Sequence, residues 1–488
     1  MSLALALNAA RSSLLTTAKQ LAVSSRNIAG ADDATYTRKS TAPVTNADGS
    51  VYASAVTRAT NSALLNRLSV VTSGVQSQQA ILDGLTRLQE TIGDTTDTTS
   101  PAAQLGALTS ALQALANAPS NTSLAQAVVT AAQGLAGSLN SATATVTSVR
   151  SQADADIATS VSKVNDLLSQ FQQLNTQIMR GTSMGEDVTD AMDDRDAVIT
   201  QLSEQMGITV VYRDNNDIAL YTDSGVTLFD KSARSVTFQA SQTLTPGTTG
   251  NAVYVDGVPV TGANAAMPLQ SGKLVGLTQL RDTIAPTYQA QLDEMARGLV
   301  EAFAETDQSG GGGAALAGLF TWSGGPAVPA SGTAVAGIAG SLTVNAAVDP
   351  SKGGSTALIR DGGINGAAYQ YNATGAVGYS THLQDLVDGM SASRAFDSSA
   401  AIGTATSLSA FATASVSWLS AARSTASTAV DYQNTLLSRA SEALSNATGV
   451  NMDDEYALQL QLEQSYQASS KLVGIVTQMY DALLQAVG

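Results

Sequence analysis

Apolar positions in this chain recur at steps of three and four over most of its length, and at steps of two in one central stretch. The clearest run comes last, over residues 451–487. There Leu458, Leu462, Ser465, Ser469, Leu472, Val476, Met479, Leu483 and Ala486 mark the seam of a coiled coil. Tyr466, Val473, Tyr480 and Val487 form a second row beside it, so the apolar face is broader than one partner helix needs. Asn451 is placed to cap this helix, and Asp453, Asp454 and Glu455 complement the positive end of its dipole. At the opposite end Leu7, Leu14, Leu21 and Ile28 repeat every seven residues, with Leu3, Ala10 and Ala18 between them, up to Gly30.

Between the ends the pattern predicts a polar loop over 32–41 with Tyr36 and Arg38, then a short extended pair turning at Asn46-Ala47-Asp48-Gly49. Heptads return over 64–92. Ser100 and Pro101 open a helix that Pro119 closes. The spacing from Leu124 through Leu135, Val149, Phe171 and Ile178 predicts one rod of about 85 Å, stopped by Gly181. A helix over 190–207 follows.

Period-two runs at 208–212, 218–222, 226–229 and 236–239 predict strands, with turns at Asp214-Asn215-Asn216 and Asp223-Ser224-Gly225. Helix resumes over 272–305 with a kink expected at Pro286. Gly310 to Gly313 reads as a hinge, and 314–378 as a Gly/Ala-rich insert with brief strands such as 342–344. A last interior helix spans 400–446, and Gly449 separates it from the final one.

The expected fold is therefore mainly α with small β-rich inserts: the two end helices paired as an antiparallel coiled coil, and a body of long helices. The expected division is residues 1–60 with 449–488 as a terminal coiled coil, 61–207 with 272–309 and 379–448 as the bundle, and 208–271 with 310–378 as β-rich outer inserts. Interior seams are read as ordinary bundle core. The end helices are read as an interface, ordered fully only against neighbouring copies.

Composition narrows the chemistry. Aromatics are only 5% and charged residues 13%, with a net charge of -16, which argues against nucleic acid or an anionic membrane as partner, since both need a basic face. No window reaches the roughly 18 apolar residues of a membrane span. Residues 1–15 lack the basic start and cleavage site of a secretory leader, so any export is expected to take another route.

With no Cys and one histidine, His382, neither a disulfide framework nor a zinc or haem ligand set is available. His382 is expected at the surface. The acidic run Glu186, Asp187, Asp190, Asp193, Asp194, Asp196 lacks calcium-loop spacing and is read as acids at a helix start. No reaction and no cofactor are expected.

Some stretches carry a family likeness. Thr448 through Glu455, then Tyr466-Gln467-Ala468-Ser469 and Met479-Tyr480-Asp481-Ala482-Leu483-Leu484, resemble the C-terminal signature of bacterial flagellar axial proteins. Ser25-Arg26-Asn27-Ile28-Ala29 with Tyr36-Thr37-Arg38 is similar to their N-terminal motif. Here Gly30 stands where that motif has a second Asn, and Ala34-Thr35 where it has Pro-Gly. Asp194-Arg195-Asp196, Gly207-Ile208-Thr209-Val210 and Gly272-Lys273-Leu274-Val275-Gly276-Leu277 are similar to the hook–filament junction members of the group.

The resemblance implies a subunit exported unfolded by the flagellar type III apparatus, escorted by a cytosolic chaperone on its C-terminal region. It implies a homo-oligomeric helical ring, with the hook protein below and a second junction protein above. Its assembly interface is expected at Leu7, Leu14, Leu21, Asn27, Ile28, Tyr36 and Arg38, and at Asn451, Leu458, Leu462, Tyr466, Leu472, Val473, Val476, Met479, Tyr480 and Leu483. The rival readings are a hook or filament-type subunit, a chemoreceptor-like signalling coiled coil, and an extracellular enzyme using Asp214, Asp217 and Asp256.

Overall fold

The computed structural model describes residues 3–92 and 97–487. The side chains at 91, 92 and 487 lie outside the described residues, and with them the outermost pattern positions Ile92 and Val487.

The longest interior run folds as read and goes further. Helix α4 (Thr122–Met184) follows α1 (Leu3–Gly30), α2 (Ser62–Ile92) and α3 (Pro101–Asn117). Its 63 residues make a rod of about 95 Å. Gly181 does not stop it: this glycine is buried inside the helix, and Gly185, at φ 73°, supplies the left-handed cap. Ser100 caps α3 by accepting from the Ala103 N–H, with Pro101 in the first turn, where its missing N–H costs nothing. Leu105, Leu108, Leu112 and Leu115 then bury almost completely against α4.

Helix α5 (Thr189–Gln205) leads into a meander of β5 (Ile208–Tyr212), β6 (Ile218–Thr222), β7 (Thr227–Asp230) and β8 (Ser232–Ala233), each pairing antiparallel with the next. These strands come after four short ones near the N-terminus: β1 (Lys39–Ser40) pairs β4 (Thr57–Arg58) around the hairpin β2 (Pro43–Thr45)–β3 (Val51–Ala53). A second small sheet joins β9 (Val236–Phe238), β10 (Val253–Val255) and β11 (Val258–Pro259). Asn215 and Asn216 take positive φ at the β5–β6 turn, a conformation asparagine tolerates well. Phe229 on β7 meets Phe171 on α4 edge to face at 4.9 Å, so the sheet shares the helical core.

The returning helix is α6 (Lys273–Gln279), a π-helical turn over 280–284, and α7 (Ala285–Ala302). Pro286 has no N–H to give to a preceding carbonyl, and the irregular turn lies just before it.

The second insert differs from the β-rich reading. Its strand pair, β12 (Phe320–Thr321) with β13 (Thr343–Val344), is minimal. Single turns such as α8 (Ile338–Ser341) and α9 (Ala357–Asp361) carry the rest, because glycines and alanines offer little to a sheet face. The stretch read as a hinge is organised by Asp307, which accepts from the Ser309 and Gly313 N–H groups and is held down at about 2 by the Ser309 hydroxyl and those amides.

His382, expected at the surface, is buried in α10 (Thr381–Ser391) and stacks on Tyr371 at 3.9 Å, and burial pushes its pKa down to about 4. A two-residue pair, β14 (Arg394–Ala395) with β15 (Ala405–Thr406), precedes α11 (Leu408–Thr448), which runs along α2. The last element is α12 (Met452–Val487), with Asn451 accepting from the Asp453 and Asp454 N–H groups.

Helices α1 and α12 pair antiparallel. Ser13 bonds Ser469 at 3.2 Å, and Ser24 bonds Glu455 at 2.8 Å, so increasing numbers on one meet decreasing numbers on the other. The hairpin β2–β3 covers a second side of α1, where Thr16 donates to the Val51 carbonyl and Val51 N–H to Ser12.

Candidate functional site

The terminal helix pair has two distinct parts: a polar root, where it joins the body, and a shaft. The root gathers three distant stretches of sequence. Glu455, fully buried in the first turn of α12, accepts from the Ser24 hydroxyl (2.8 Å), the Asn27 amide (3.1 Å) and the Arg38 guanidinium (2.7 Å). Asn27 also closes the loop after α1. Its amide donates to the Lys39 carbonyl, and its oxygen accepts from the Lys39 N–H and the Tyr36 hydroxyl. The Arg38 N–H donates to the Thr448 carbonyl, tying the loop to the end of α11.

The Tyr36 ring lies against Gly30, where a β-carbon would stand 2.6 Å from it. The departure from the family motif at residue 30 thus has a physical reason. At the other departure Asp33 makes the turn, accepting from the Thr35 N–H and hydroxyl.

The acidic run sits beneath this loop and receives the chain's own cations. Lys39, whose side chain is fully buried, reaches Asp193 (2.7 Å) and Asp190 (2.9 Å), with its ammonium 3.4 Å from the centre of the Tyr36 ring. Burial opposes its charge, yet the two carboxylates outweigh burial and raise its pKa. Arg58 bridges Asp193 (2.8 Å) and Asp196 (2.7 Å), and Arg26 bridges Asp187 and Asp190. Thr37 adds a 2.6 Å bond to Asp193. Burial raises Asp196 and lowers Arg195 to about 10, and Arg195 is held by Asn175 and the Asn216 carbonyl. A polar path thereby runs from α12 through the loop and α5 to the first sheet.

Of the residues expected at the interface, Asn27, Tyr36, Arg38 and Asn451 make these bonds within one chain. On the shaft, the buried row of α12 is Glu455, Leu462, Ser469 and Val476, each seven from the last. The seam read from apolarity contains Leu462, Ser469 and Val476, but its other line, Leu472 and Met479, is 53% and 51% exposed, and Leu483, seven past Val476 in the row's own register, is 56% exposed. Val473 and Tyr480, read as the outward row, are half-buried, Tyr466 is 40% exposed, and Leu458 is half-buried.

The reason lies at the root. Once Glu455 points into the Ser24–Asn27–Arg38 socket, the rotation of the whole helix follows from it. The facing row on α1 is small, Ala10, Thr17 and Ser24, and accepts that rotation without large apolar partners; Leu7, Leu14, Leu21 and Ile28 flank it, half-buried.

Sequence reasoning missed Lys39, Arg58, Thr37 and Glu455 as members of one site. A usable signal existed: in a chain this poor in charge, acids at 187, 190, 193 and 196 recur every three residues, and four cations cluster at 26, 38, 39 and 58.

Among the described residues no group of three or more His, Cys, Asp or Glu side chains is placed to hold a metal, and no helix is long and apolar enough to cross a membrane. Asp217 is taken up by Asn175 and Arg213, and its N–H donates to the Asp214 carbonyl in the β5–β6 turn, whereas Asp256 pairs with Arg234 in the β10–β11 turn.

Comparison with known proteins shows what the chain is similar to. The model described as "Flagellar hook-associated protein FlgK helical domain" matches residues 85–318. Flagellar hook-associated protein 1 of Escherichia coli (strain K12) is 25% identical over 318 residues, and that of Bacillus subtilis (strain 168) 24% over 407. The chain is similar to flagellar hook-associated protein 1 in both comparisons.

The aligned stretch covers 62% of this chain and 56% of the E. coli protein, so the chain spans little more than half the length of that relative. For the B. subtilis protein the shares are 79% and 76%. A solved structure, the flagellar hook junction protein FlgK from Burkholderia pseudomallei, matches at 23% identity and a TM-score of 0.43, over 53% of this chain and 46% of that one. The polar root draws on residues both inside the matched helical domain, Asp187 to Asp196, and outside it, Ser24 to Arg58 and Glu455.

Proposed function

We propose that this protein is a structural subunit of the bacterial flagellum that joins the hook to the filament and assembles through its terminal helix pair. The role is mechanical and not enzymatic. The observation that carries the reading is the shaft of α12, where Leu472, Ile475, Met479 and Leu483 stand exposed in a single stripe. A soluble chain gains nothing from such a stripe alone, and burying it against further copies removes apolar area at about 25 cal/mol per Å². The likeness to flagellar hook-associated protein 1 supplies the setting.

In this reading residues 1–60 with 449–488 form the assembling part, held at a fixed angle by the polar root. Residues 61–207 with 272–309 and 379–448 form the bundle that bears load, and 208–271 with 310–378 pack on its sides and share its core. Copies form a short helical ring, with the hook protein on one side and the second junction protein on the other. The subunit travels unfolded through the flagellar type III apparatus, its C-terminal stripe covered by a chaperone until then, and resides on the flagellum outside the cell.

The test is a deletion strain imaged for hooks that carry no filament, complemented with the native chain or with Leu472→Asp. The native chain restores filaments and Leu472→Asp does not, although it is secreted. Normal filaments in the deletion strain, or full complementation by Leu472→Asp, would overturn the reading.

A further inference from the structure

The joint between the terminal pair and the bundle is gripped by two unlike contacts. One runs through Lys39. Its backbone N–H and carbonyl are held by Asn27 on α1, while its ammonium, on a fully buried side chain, is held by Asp193 on α5 at 2.7 Å. A single residue thus faces both regions. Arg58 braces the same carboxylate, and Thr37 adds its hydroxyl. The other contact is Arg26, also on α1, which reaches Asp187 (2.8 Å) and Asp190 (2.9 Å) at the entry to α5. These three side chains are 36%, 33% and 68% exposed.

Adjacent residues of a helix point about 100° apart, so Asn27 and Arg26 grip different sides of α1. Asn27, seated on Lys39, fixes a point and leaves the helix free to swing about it; Arg26 removes that freedom. The two contacts also differ in how readily they let go. Ion pairs open to solvent are individually weak and are screened by salt, whereas the buried set of Lys39, Asp193 and Arg58 is screened much less. Glu455 ties α12 to α1 through Ser24 and Asn27, so the two helices move together. We propose that Arg26 is a positioning residue: it sets the tilt of the terminal pair on the bundle and is the contact that yields when the tilt changes, while Lys39 stays seated as the pivot. The tilt belongs to the single chain and does not depend on how copies meet.

The experiment measures that tilt in the full-length monomer. The chain has no cysteine, so Gln177→Cys on α4 and Gln467→Cys on α12, both exposed positions, take spin labels at those two points alone. The distance distribution between the labels should be narrow at about 0.01 M salt and about twofold broader at about 1 M, where the screening length falls from about 30 Å to about 3 Å. Arg26→Ala should be broad already at low salt and change little on adding more. Arg26→Lys keeps the charge but not the fork that spans two carboxylates, and should lie between. Amide exchange along α1 and α12 should stay native in both variants, because the bonds between the two helices at Ser13 and Ser24 are untouched.

A distribution for Arg26→Ala as narrow as the native one at low salt, or a native chain as broad there as the variant, would overturn the assignment. Faster exchange along α1 and α12 in Arg26→Ala would overturn it too, since Arg26 would then support the fold of the pair and not its tilt.

Discussion

The bundle and the terminal pair use the same step of three and four, yet they send their large side chains in opposite directions. Along α4, Leu135, Leu139, Val164 and Phe171 are buried to within a few per cent of completeness, with α3, α5 and the first sheet laid over them. Along α12 the buried row is Leu462, Ser469 and Val476 against Ala10, Thr17 and Ser24, while leucine, isoleucine and methionine face outward. A heptad therefore announces that a face will be buried, not which neighbour buries it. In the bundle the neighbours belong to the same chain. In the terminal pair one narrow neighbour is present, and a polar contact rather than apolar area decides which side it takes.

The largest effect that would sharpen this contrast belongs to the bundle. Phe171→Ala removes a ring packed edge-on against Phe229 and should cost about 3–5 kcal/mol, read as a fall in the urea midpoint. Hydrogen exchange along α12 should be unchanged by it under native conditions. If α12 loosens in step with the bundle, the two regions are one cooperative unit and the contrast is merely one of composition.

Glu455→Ala comes next. It leaves the buried Ser24 hydroxyl and Asn27 amide, and the part-exposed Arg38 guanidinium, without their acceptor, at a cost of about 2–3 kcal/mol. The loss should fall on the terminal pair: amide exchange in α1 and α12 speeds up while α4 keeps its protection. Glu455→Gln retains an acceptor oxygen and should lose less. Equal protection of native chain and Glu455→Ala would show that the root does not hold the pair.

Much of this architecture was legible in the sequence, and its misreadings share one cause. Periodicity found the long helices, the Ser100–Pro101 start, the strand turns and the antiparallel ends, because each depends on local backbone chemistry or on one repeating face. It found the row 462, 469 and 476 of α12 but not which flank beside it is covered: 465, 472 and 479, as read, or 473 and 480, as observed. Only Glu455, seven residues earlier, breaks the tie, through partners more than four hundred residues away in the chain. The same holds for Lys39 and Asp193: the acidic run was legible, but its pairing with Lys39 exists only in three dimensions. His382 was misjudged because nothing near it in sequence reveals Tyr371 above it. The second insert was read as β-rich from brief runs such as 342–344, whereas turns and caps carry it.

The smallest effect tests the rotation of α12 most directly. Val476 and Leu472 are four residues apart, but the first is 8% exposed and the second 53%. In the isolated monomer Val476→Asp puts a carboxylate into the seam and should loosen the pair by about 2 kcal/mol, since no cation is at hand to receive it. Leu472→Asp points the same carboxylate at water and should change monomer stability by less than about 0.5 kcal/mol. Exchange rates in α1, which sees the seam but not the stripe, separate the two: faster with Val476→Asp and native with Leu472→Asp. Both substitutions should abolish incorporation, the first by spoiling the pair and the second by spoiling its outer face. Were Leu472→Asp to disturb α1 as strongly as Val476→Asp, the stripe would belong to the seam, and the exposed leucines could no longer be counted as surface held in reserve for another copy.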